Sequence, residues 1–328
     1  MVTPTPPVPA PEPGAVKYSV VVPVYGNEAT VETVVDRLTA VAEKLDGPME
    51  VVFVIDGSPD RSELVLGRVL PRALIASQLV VHSRNFGSFP AIRTGMAAAR
   101  GQYIGVMAAD LQEPPELLAS FFEQLASGDY DIAVGRRESR EDPALSSVMS
   151  RAFWALYRRV INPEIPPGGV DVFGCTAEVA ARVLALDEAH SSLVGLLYWV
   201  GYRRVEVPYS RVEREHGTSG WSFRKKVRYL LDSVFSFTDL PVAVLTGVGV
   251  AGMILTVVAS LAVFVGWLSD SVDVSGYTPL MLAILLSTFT LLYGLGVVGS
   301  YVWRTYENSK GRPTSIVMSH ETFGDAEL

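Results

Sequence analysis

Cysteine is almost absent. Cys175 is the only one among 328 residues, so no intramolecular disulfide can hold the fold, and a reducing compartment suits the chain. Histidine is nearly as scarce: His82, His190, His216 and His320 stand at no metal-ligand spacing, which leaves a histidine-built metal centre without donors. Positive charge is short as well. Lys and Arg number 27 against 35 Asp and Glu, and a formal charge of −8 excludes a general nucleic-acid binder, which needs a broad basic face. No basic stretch followed by an apolar run opens the chain. Residues 1–16 are Pro-rich and polar, and read as a disordered leader rather than a signal peptide.

Charge of either sign is missing altogether from Leu240 to Ser269 and again from Val274 to Trp303. Each window exceeds the roughly 20 apolar residues that span a bilayer, so two transmembrane helices are expected over 240–303. The loop between them holds Asp270 and Asp273 but no Lys or Arg, whereas Arg224, Lys225, Lys226 and Arg228 precede the first window and Arg304, Lys310 and Arg312 follow the second. The positive-inside rule then puts both ends in the cytoplasm. Phe223, Val227, Leu230, Val234 and Phe237 recur at helical spacing opposite Arg224, Lys225 and Arg228, which predicts an interfacial amphipathic helix over 222–239. GVGVAG (247–252) and GLGVVG (294–299) match the dinucleotide fingerprint, but they lie inside the charge-free windows with no acid placed to hold a ribose. They are read as small residues that let two spans pack closely.

What is plentiful upstream is alternation. YSVVVPV (18–24), MEVVFVI (49–55), QLVVH (78–82), YIGVMAA (103–109) and YDIAVG (130–135) read as buried strands, with helical patterns notably at 28–45 and 114–126. This is the α/β signature of a mainly parallel sheet covered on both faces. Ligands of such sheets gather beyond the carboxyl ends of the strands, where polar residues stand here: Tyr25 and Glu28, Asp56-Gly57-Ser58, Arg84-Asn85, Asp110 with Gln112, and Arg136-Arg137. MAADLQEPPELL (107–118) is the strongest single signal. Alone it reads equally as a capped strand-to-helix turn, because Pro and Glu suit a helix amino end.

Taken in order, PVYGNE (23–28), IDGSPD (55–60), SRNFG (83–87), AADLQEPPE (108–116), GRR (135–137) and REHGTSGWSFRKK (214–226) resemble the inverting glycosyltransferase family 2, in its polyprenyl-phosphate branch. The resemblance covers about residues 18–239. It implies a GT-A-like nucleotide-sugar-binding domain over 17–221 that transfers a sugar to a polyprenyl phosphate at the cytoplasmic membrane face, followed by a cytoplasmic tail over 304–328. Pro23, Tyr25 and Glu28 match the donor-binding motif of the first strand, with Asn27 an alternative to Glu28 because Gly26 shifts the spacing. Asp56 matches an acid that contacts base or ribose, and its usual acidic neighbour is Ile55. Arg84 and Asn85 match a further donor motif. Asp110 and Gln112 match the segment around the diphosphate and its metal, Mg²⁺ or Mn²⁺, with Ala108 replacing another acid.

Arg137 matches an arginine near the phosphates, while Arg214 and Ser219 match the R-x-x-G-x-S segment. Arg151, on the amphipathic stretch SRAFWALYRR (150–159), is a further acceptor-phosphate candidate. Asp171 matches the acid of a G-D-F-R segment in which Phe173 replaces the arginine. A lipid phosphate is already an oxyanion, so it attacks the anomeric carbon without a strong protein base; the departing nucleoside diphosphate needs a metal and fixed cations. The implied partners are a nucleotide sugar, a polyprenyl phosphate and the bilayer, and a homo-oligomer is compatible with the sequence. Two rivals are a same-fold transferase with another lipid or saccharide acceptor, and a degenerate scaffold that only binds nucleotide or lipid. The topology makes a direct demand: a cysteine introduced at Ser275 should react with an impermeant thiol reagent added outside intact cells, and labelling only after permeabilisation would contradict it.

Overall fold

The structure, a computed structural model, describes residues 16–137, 158–159, 163–166, 169–186, 192–211, 231–235, 238, 240–268 and 277–324. The chain divides into two compact units, one of residues 1–226 with 313–328 and the other of residues 227–312.

In the first unit, runs of β-branched and aromatic residues make strands β1 (Tyr18–Val24), β2 (Met49–Ile55) and β3 (Ala76–His82), which are buried along almost their whole length. Such continuous burial is what central strands covered on both faces require. Four shorter strands follow, β4 (Tyr103–Val106), β5 (Ile132–Arg137), β6 (Phe173–Thr176) and β7 (Arg204–Tyr209), and then β8 (Val317–Phe323). They form one sheet in the order β7-β5-β6-β4-β1-β2-β3-β8. β1 is parallel to β2 and β4, β2 to β3, and β5 to β7, while β6 runs antiparallel to both β4 and β5, and β8 antiparallel to β3. Six strands therefore point one way and two the other. The expected mainly parallel sheet is present, with two antiparallel strands that periodicity did not reveal.

Helix α1 (Val31–Ala42) turns Val31, Val34, Val35, Leu38 and Val41 inward at three- and four-residue spacing. Helices α2 (Ser62–Val69) and α3 (Ser88–Ala98) link β2 to β3 and β3 to β4. Helix α4 (Leu117–Ala126) buries Leu117, Leu118, Phe121, Phe122 and Leu125. α5 (Ala177–Ala185) and α6 (Leu193–Trp199) follow β6, each starting on a hydroxyl cap, Thr176 and Ser192.

The second unit holds α7 (Leu240–Leu268) and α8 (Tyr277–Ser309). Over the described residues, no helix is long and apolar enough to cross a membrane. Helical backbone runs through most of both charge-free windows, α7 being 29 residues long and α8, which continues past Trp303 to Ser309, 33. An added Cβ at Gly294 would stand at ordinary contact distance, 3.4 Å, from Leu245, whereas at Gly247, Gly249, Gly296 and Gly299 it would meet nothing within 4 Å among the described residues. Arg304 donates to Asp232 at 2.8 Å and stacks over Phe235. Most of the amphipathic stretch 222–239 lies outside the described residues.

The reading of 304–328 as a tail gives way to structure. α8 continues to Ser309, and β8 then joins the sheet by pairing with β3 from Ser77↔Phe323 to His82↔Val317. The segment VMSHETF is too polar to announce itself as a strand, since only an edge position is left for it.

Close packing of α3 on the sheet depends on Gly95, where an added Cβ would lie 2.2 Å from Val21 Cγ1 and 3.1 Å from Val54 Cγ2. Both neighbours are stiff, buried valines. Helix propensity alone favours alanine over glycine by about 1 kcal/mol, but overpacking of this kind costs about 1–3 kcal/mol. Gly95→Ala should therefore lower the urea midpoint of the first unit; a raised midpoint would show that α3 is free to lift away.

Candidate active site

The pairing directions bring the sequence-predicted residues to one edge. β1 to β5 and β7, β6 apart, are mutually parallel, so the segments after Val24, Ile55, His82, Val106, Arg137 and Tyr209 leave the sheet at its carboxyl edge. The antiparallel strands start there, which brings Asp171 before β6 and Ser315 before β8 to the same edge.

The turns after β1 and β2 are stitched together. Gly26 N donates to Ser58 Oγ at 2.8 Å, Glu28 N to Asp60 Oδ2 at 2.8 Å, and Arg61 N to Glu28 Oε2 at 3.1 Å. Asp60 also accepts from Ser58 and Ser62. Burial works against the Asp60 charge, but these donors outweigh it and hold its carboxyl below the usual range. Asn27 Oδ1 is taken by Tyr25 N at 3.0 Å. Glu28 and Asn27 thus both shape the turn, while the Tyr25 ring, 53% exposed, faces outward.

Asp56 follows β2 at the same edge. It is 2% exposed, and its carboxylate accepts from Phe86 N and Gly87 N, each at 2.8 Å, and lies 2.9 Å from His82 Nδ1. The carboxylate expected to touch base or ribose also folds the loop after β3, because charge-assisted bonds to backbone N–H groups are strong. The adjoining Gly57, at φ +55°, packs on the same loop: an added Cβ would lie 2.3 Å from Arg84 C and from Asn85 N. Arg84 and Asn85 are carried at the exposed tip, with the Arg84 guanidinium 3.9 Å from the centre of the Phe86 ring.

After β4, the turn to α4 holds the acids. Thr30 Oγ1 donates to Ala109 O at 2.7 Å, and Gln112 N donates to Asp110 Oδ1 at 3.3 Å across Leu111, which adopts a left-handed φ of 56°. A leucine held there is strained by about 1–2 kcal/mol, a cost that clusters at working sites. Arg211, two residues past β7, contacts this turn, and Arg137 at the end of β5 feels the charge of Glu113. Arg137 pairs with Asp171, and its Nε lies 3.4 Å from Tyr209 Oη. Arg211 donates to Gln112 Oε1, and its Nε lies 3.4 Å from Glu113 Oε1. That last approach is an ion-pair distance without hydrogen-bond geometry, so both buried atoms are left unsatisfied.

Electrostatics in this cluster follow from burial. Glu113 is 2% exposed, and burial first, then the Asp171 charge, push its carboxyl up from the usual 4.5 to about 7, against the pull of Arg211. Burial also opposes the Arg137 charge, but Asp171, Tyr209 and Glu113 win and raise it. Burial likewise pushes the Tyr209 hydroxyl up to about 12.

Pro23, Tyr25, Glu28, Arg84, Asn85, Asp110, Gln112 and Arg137 therefore share one edge of the sheet. Arg151, Arg214 and Ser219 lie outside the described residues. Sequence reasoning missed Arg211 and Tyr209, whose signal was the apolar alternation of VEVPY ahead of a charged residue, and took Glu113 first as a helix-start residue and second to Asp110 as an acid of the site. Among the described residues no group of three or more His, Cys, Asp or Glu is placed to hold a metal by itself.

The glycosyl transferase family 2 model matches residues 19–184. An uncharacterised glycosyltransferase of Synechocystis is 32% identical over 305 residues, which are 92% of this chain and 95% of that protein. A prophage bactoprenol glucosyl transferase homologue of Escherichia coli is 29% identical over 310 residues, 92% of this chain and 98% of its own length. Among solved structures, glucosyl-3-phosphoglycerate synthase from Mycobacterium tuberculosis in complex with UDP matches with a TM-score of 0.48 at 18% identity, over 67% of this chain and 79% of that one.

The raised Glu113 carboxyl carries a pH signature. The folded state holds this proton more tightly than the unfolded chain, so the associated stability is present below pH 4.5 and is lost as pH rises through about 7. Between pH 5 and 8, without added metal, the denaturation midpoint of the wild type should fall relative to that of Glu113→Gln. Parallel curves would show that Glu113 titrates normally.

Proposed function

The chain belongs to glycosyl transferase family 2 and is a glycosyltransferase, and from that premise we propose that it moves one hexose-like residue, with inversion, from a nucleotide sugar to a polyprenyl phosphate at the cytoplasmic membrane face. The observation that carries the acceptor side is a pair of arginines at this edge, Arg211 bound to Gln112 and near Glu113 and Arg137 bound to Asp171. Two guanidinium forks with carboxylate partners form a site in which a phosphate can take the carboxylates' place. Relatives named bactoprenol glucosyl transferase, 28–29% identical along more than nine-tenths of this chain, support a polyprenyl phosphate as that ligand.

The donor side rests on the interlocked turns after β1, β2 and β3. The outward Tyr25 ring is the surface on which a nucleobase stacks, and Arg84 at its exposed tip supplies a cation to the donor's phosphates. Pro23 and Glu28 fix the turn that presents Tyr25. A divalent ion, Mg²⁺ or Mn²⁺, fits this site as one held by Asp110 together with the donor's diphosphate and water, since one carboxylate plus substrate phosphates is a common Mg²⁺ arrangement. When bound, it neutralises charge on the departing diphosphate. Arg137 and Arg211 orient the acceptor phosphate, which is ionised and needs no proton removed. Glu113, kept largely neutral by burial below about pH 7, spares the incoming anion a further repulsion.

The proposed membrane placement is supported by the connectivity. The chain leaves the first unit at residue 226 and rejoins it at residue 313, with α7 and α8 between. If each helix crosses the bilayer once, the catalytic domain and β8 lie on one face, which agrees with the basic residues that flank the charge-free windows.

Detergent-purified protein incubated with a panel of nucleotide sugars and short polyprenyl phosphates should yield a glycolipid identifiable by mass, and Mn²⁺ should raise the yield. Donor hydrolysis with no lipid product would favour another acceptor. Asp110→Asn should lower transfer by about 10²–10³-fold while the protein stays folded, because a neutral amide replaces the charge that faces the diphosphate. Raising the pH should not restore it, since no base is lost. Near-normal turnover by this variant would remove Asp110 from the site.

A further inference from the structure

The loop that carries Arg84 and Asn85 is held from a second direction. His82 is 1% exposed, yet both ring nitrogens are engaged: Nδ1 lies 2.9 Å from Asp56 Oδ1 and Nε2 lies 2.9 Å from Thr94 Oγ1. Thr94, on α3, in turn lies 2.8 Å from Ser315 Oγ, 221 positions away and just ahead of β8. A carboxylate only accepts, so Nδ1 carries the hydrogen. Hydroxyls both donate and accept, so Thr94 can bond to His82 Nε2 and to Ser315 at the same time. The three contacts form one chain from β8 to Asp56, and Asp56 passes the restraint to Phe86 N and Gly87 N. The Phe86 ring adds packing, edge-on to His82 at 5.5 Å and face-on to the Arg84 guanidinium.

β8 is itself fixed next to this relay. Ser83 N donates to Ile316 O at 3.0 Å, and farther along the strand His320 Nε2 lies 2.7 Å from Gln78 Oε1. Gln78 Nε2 reaches the buried Glu50 at 2.9 Å, and Glu50 also takes Ser19 and Arg100. A slip of β8 along β3 would break these bonds together with the one from Ser315.

We propose that Ser315, Thr94 and His82 are positioning residues for the donor: they set the conformation of loop 84–87 through Asp56, which makes the strand returning from the two long helices a working part of the nucleotide-sugar site. This rests on the reading of loop 84–87 as donor-binding. A histidine that merely fills the core would give a different result on substitution, because its loss would weaken the whole domain rather than one substrate.

The test uses the full chain in detergent, with UDP-glucose as the first donor and a short polyprenyl phosphate as acceptor, together with amide exchange at Phe86 and Gly87. Loss of one hydrogen bond in a chain ending on a charge predicts a donor KM raised about 3–10-fold by Ser315→Ala and more than about tenfold by His82→Leu, with kcat and acceptor KM within about twofold. His82→Asn, whose amide can stand in for Nδ1–H, should recover most of the loss. Exchange at Phe86 and Gly87 should quicken in the same order. Unchanged donor KM and unchanged exchange in Ser315→Ala would overturn the proposal, as would donor and acceptor KM rising together. If His82→Leu fails to fold, Ser315→Ala decides. A wild type that takes no nucleotide sugar sinks the functional reading, and with it the claim on the donor. The exchange rates still separate that outcome from a relay that does not order the loop.

Discussion

A carboxylate buried at the end of a central strand must find donors or lose its charge, and Asp56 finds them in the backbone of its neighbour. Two N–H groups of the loop after β3 and the ring of His82 satisfy it, while the missing side chain at Gly57 lets that loop lie directly on the turn after β2. From there the restraint spreads. Ser58 and Asp60 in the same turn accept the backbone of residues 26 and 28, so three separate strand ends behave as one piece. On this side almost every polar group that shapes the pocket is satisfied by the protein itself.

The other half of the site is built on the opposite plan. Arg137, Arg211, Asp171 and Glu113 pair with one another, but Glu113 Oε1 and Arg211 Nε are buried without a hydrogen bond, and Leu111 sits in a left-handed conformation beside them. Unsatisfied buried groups cost about 1–3 kcal/mol each, and an anion that reaches the arginines recovers part of it. A rigid, satisfied half of the site thus stands beside an under-satisfied one, and only the second gains hydrogen bonds when an anion arrives.

The sheet was legible because β1, β2 and β3 carry apolar runs at residues 20–24, 51–55 and 79–81, and the candidate edge was legible because polar residues follow the strands at Tyr25, Asp56, Arg84 and Asp110. What escaped has physical causes. β6 is four residues long and β8 is an edge strand of mostly polar residues, so neither leaves a hydrophobic signature. Arg211 and Ser315 join the site only through long-range pairing, to partners 99 and 221 positions away. Asp56 was found as a site residue but its orientation was not, since nothing in IDGSPD tells whether the carboxylate faces solvent or turns back on Phe86 and Gly87.

The strand β8 also orders events in time. Its residues are made after both long helices, and Gln78 meets His320 across 242 positions. At a synthesis rate of about 5–20 residues per second, β3 leaves the ribosome on the order of ten seconds to a minute before its partner. For that interval the nascent domain carries an open strand edge of the kind that invites pairing with other chains. Completion of the sheet, and with it the bond from Ser315 to Thr94, therefore comes only after α7 and α8 have been produced, so the catalytic domain is finished by a segment that follows the helical unit in the chain.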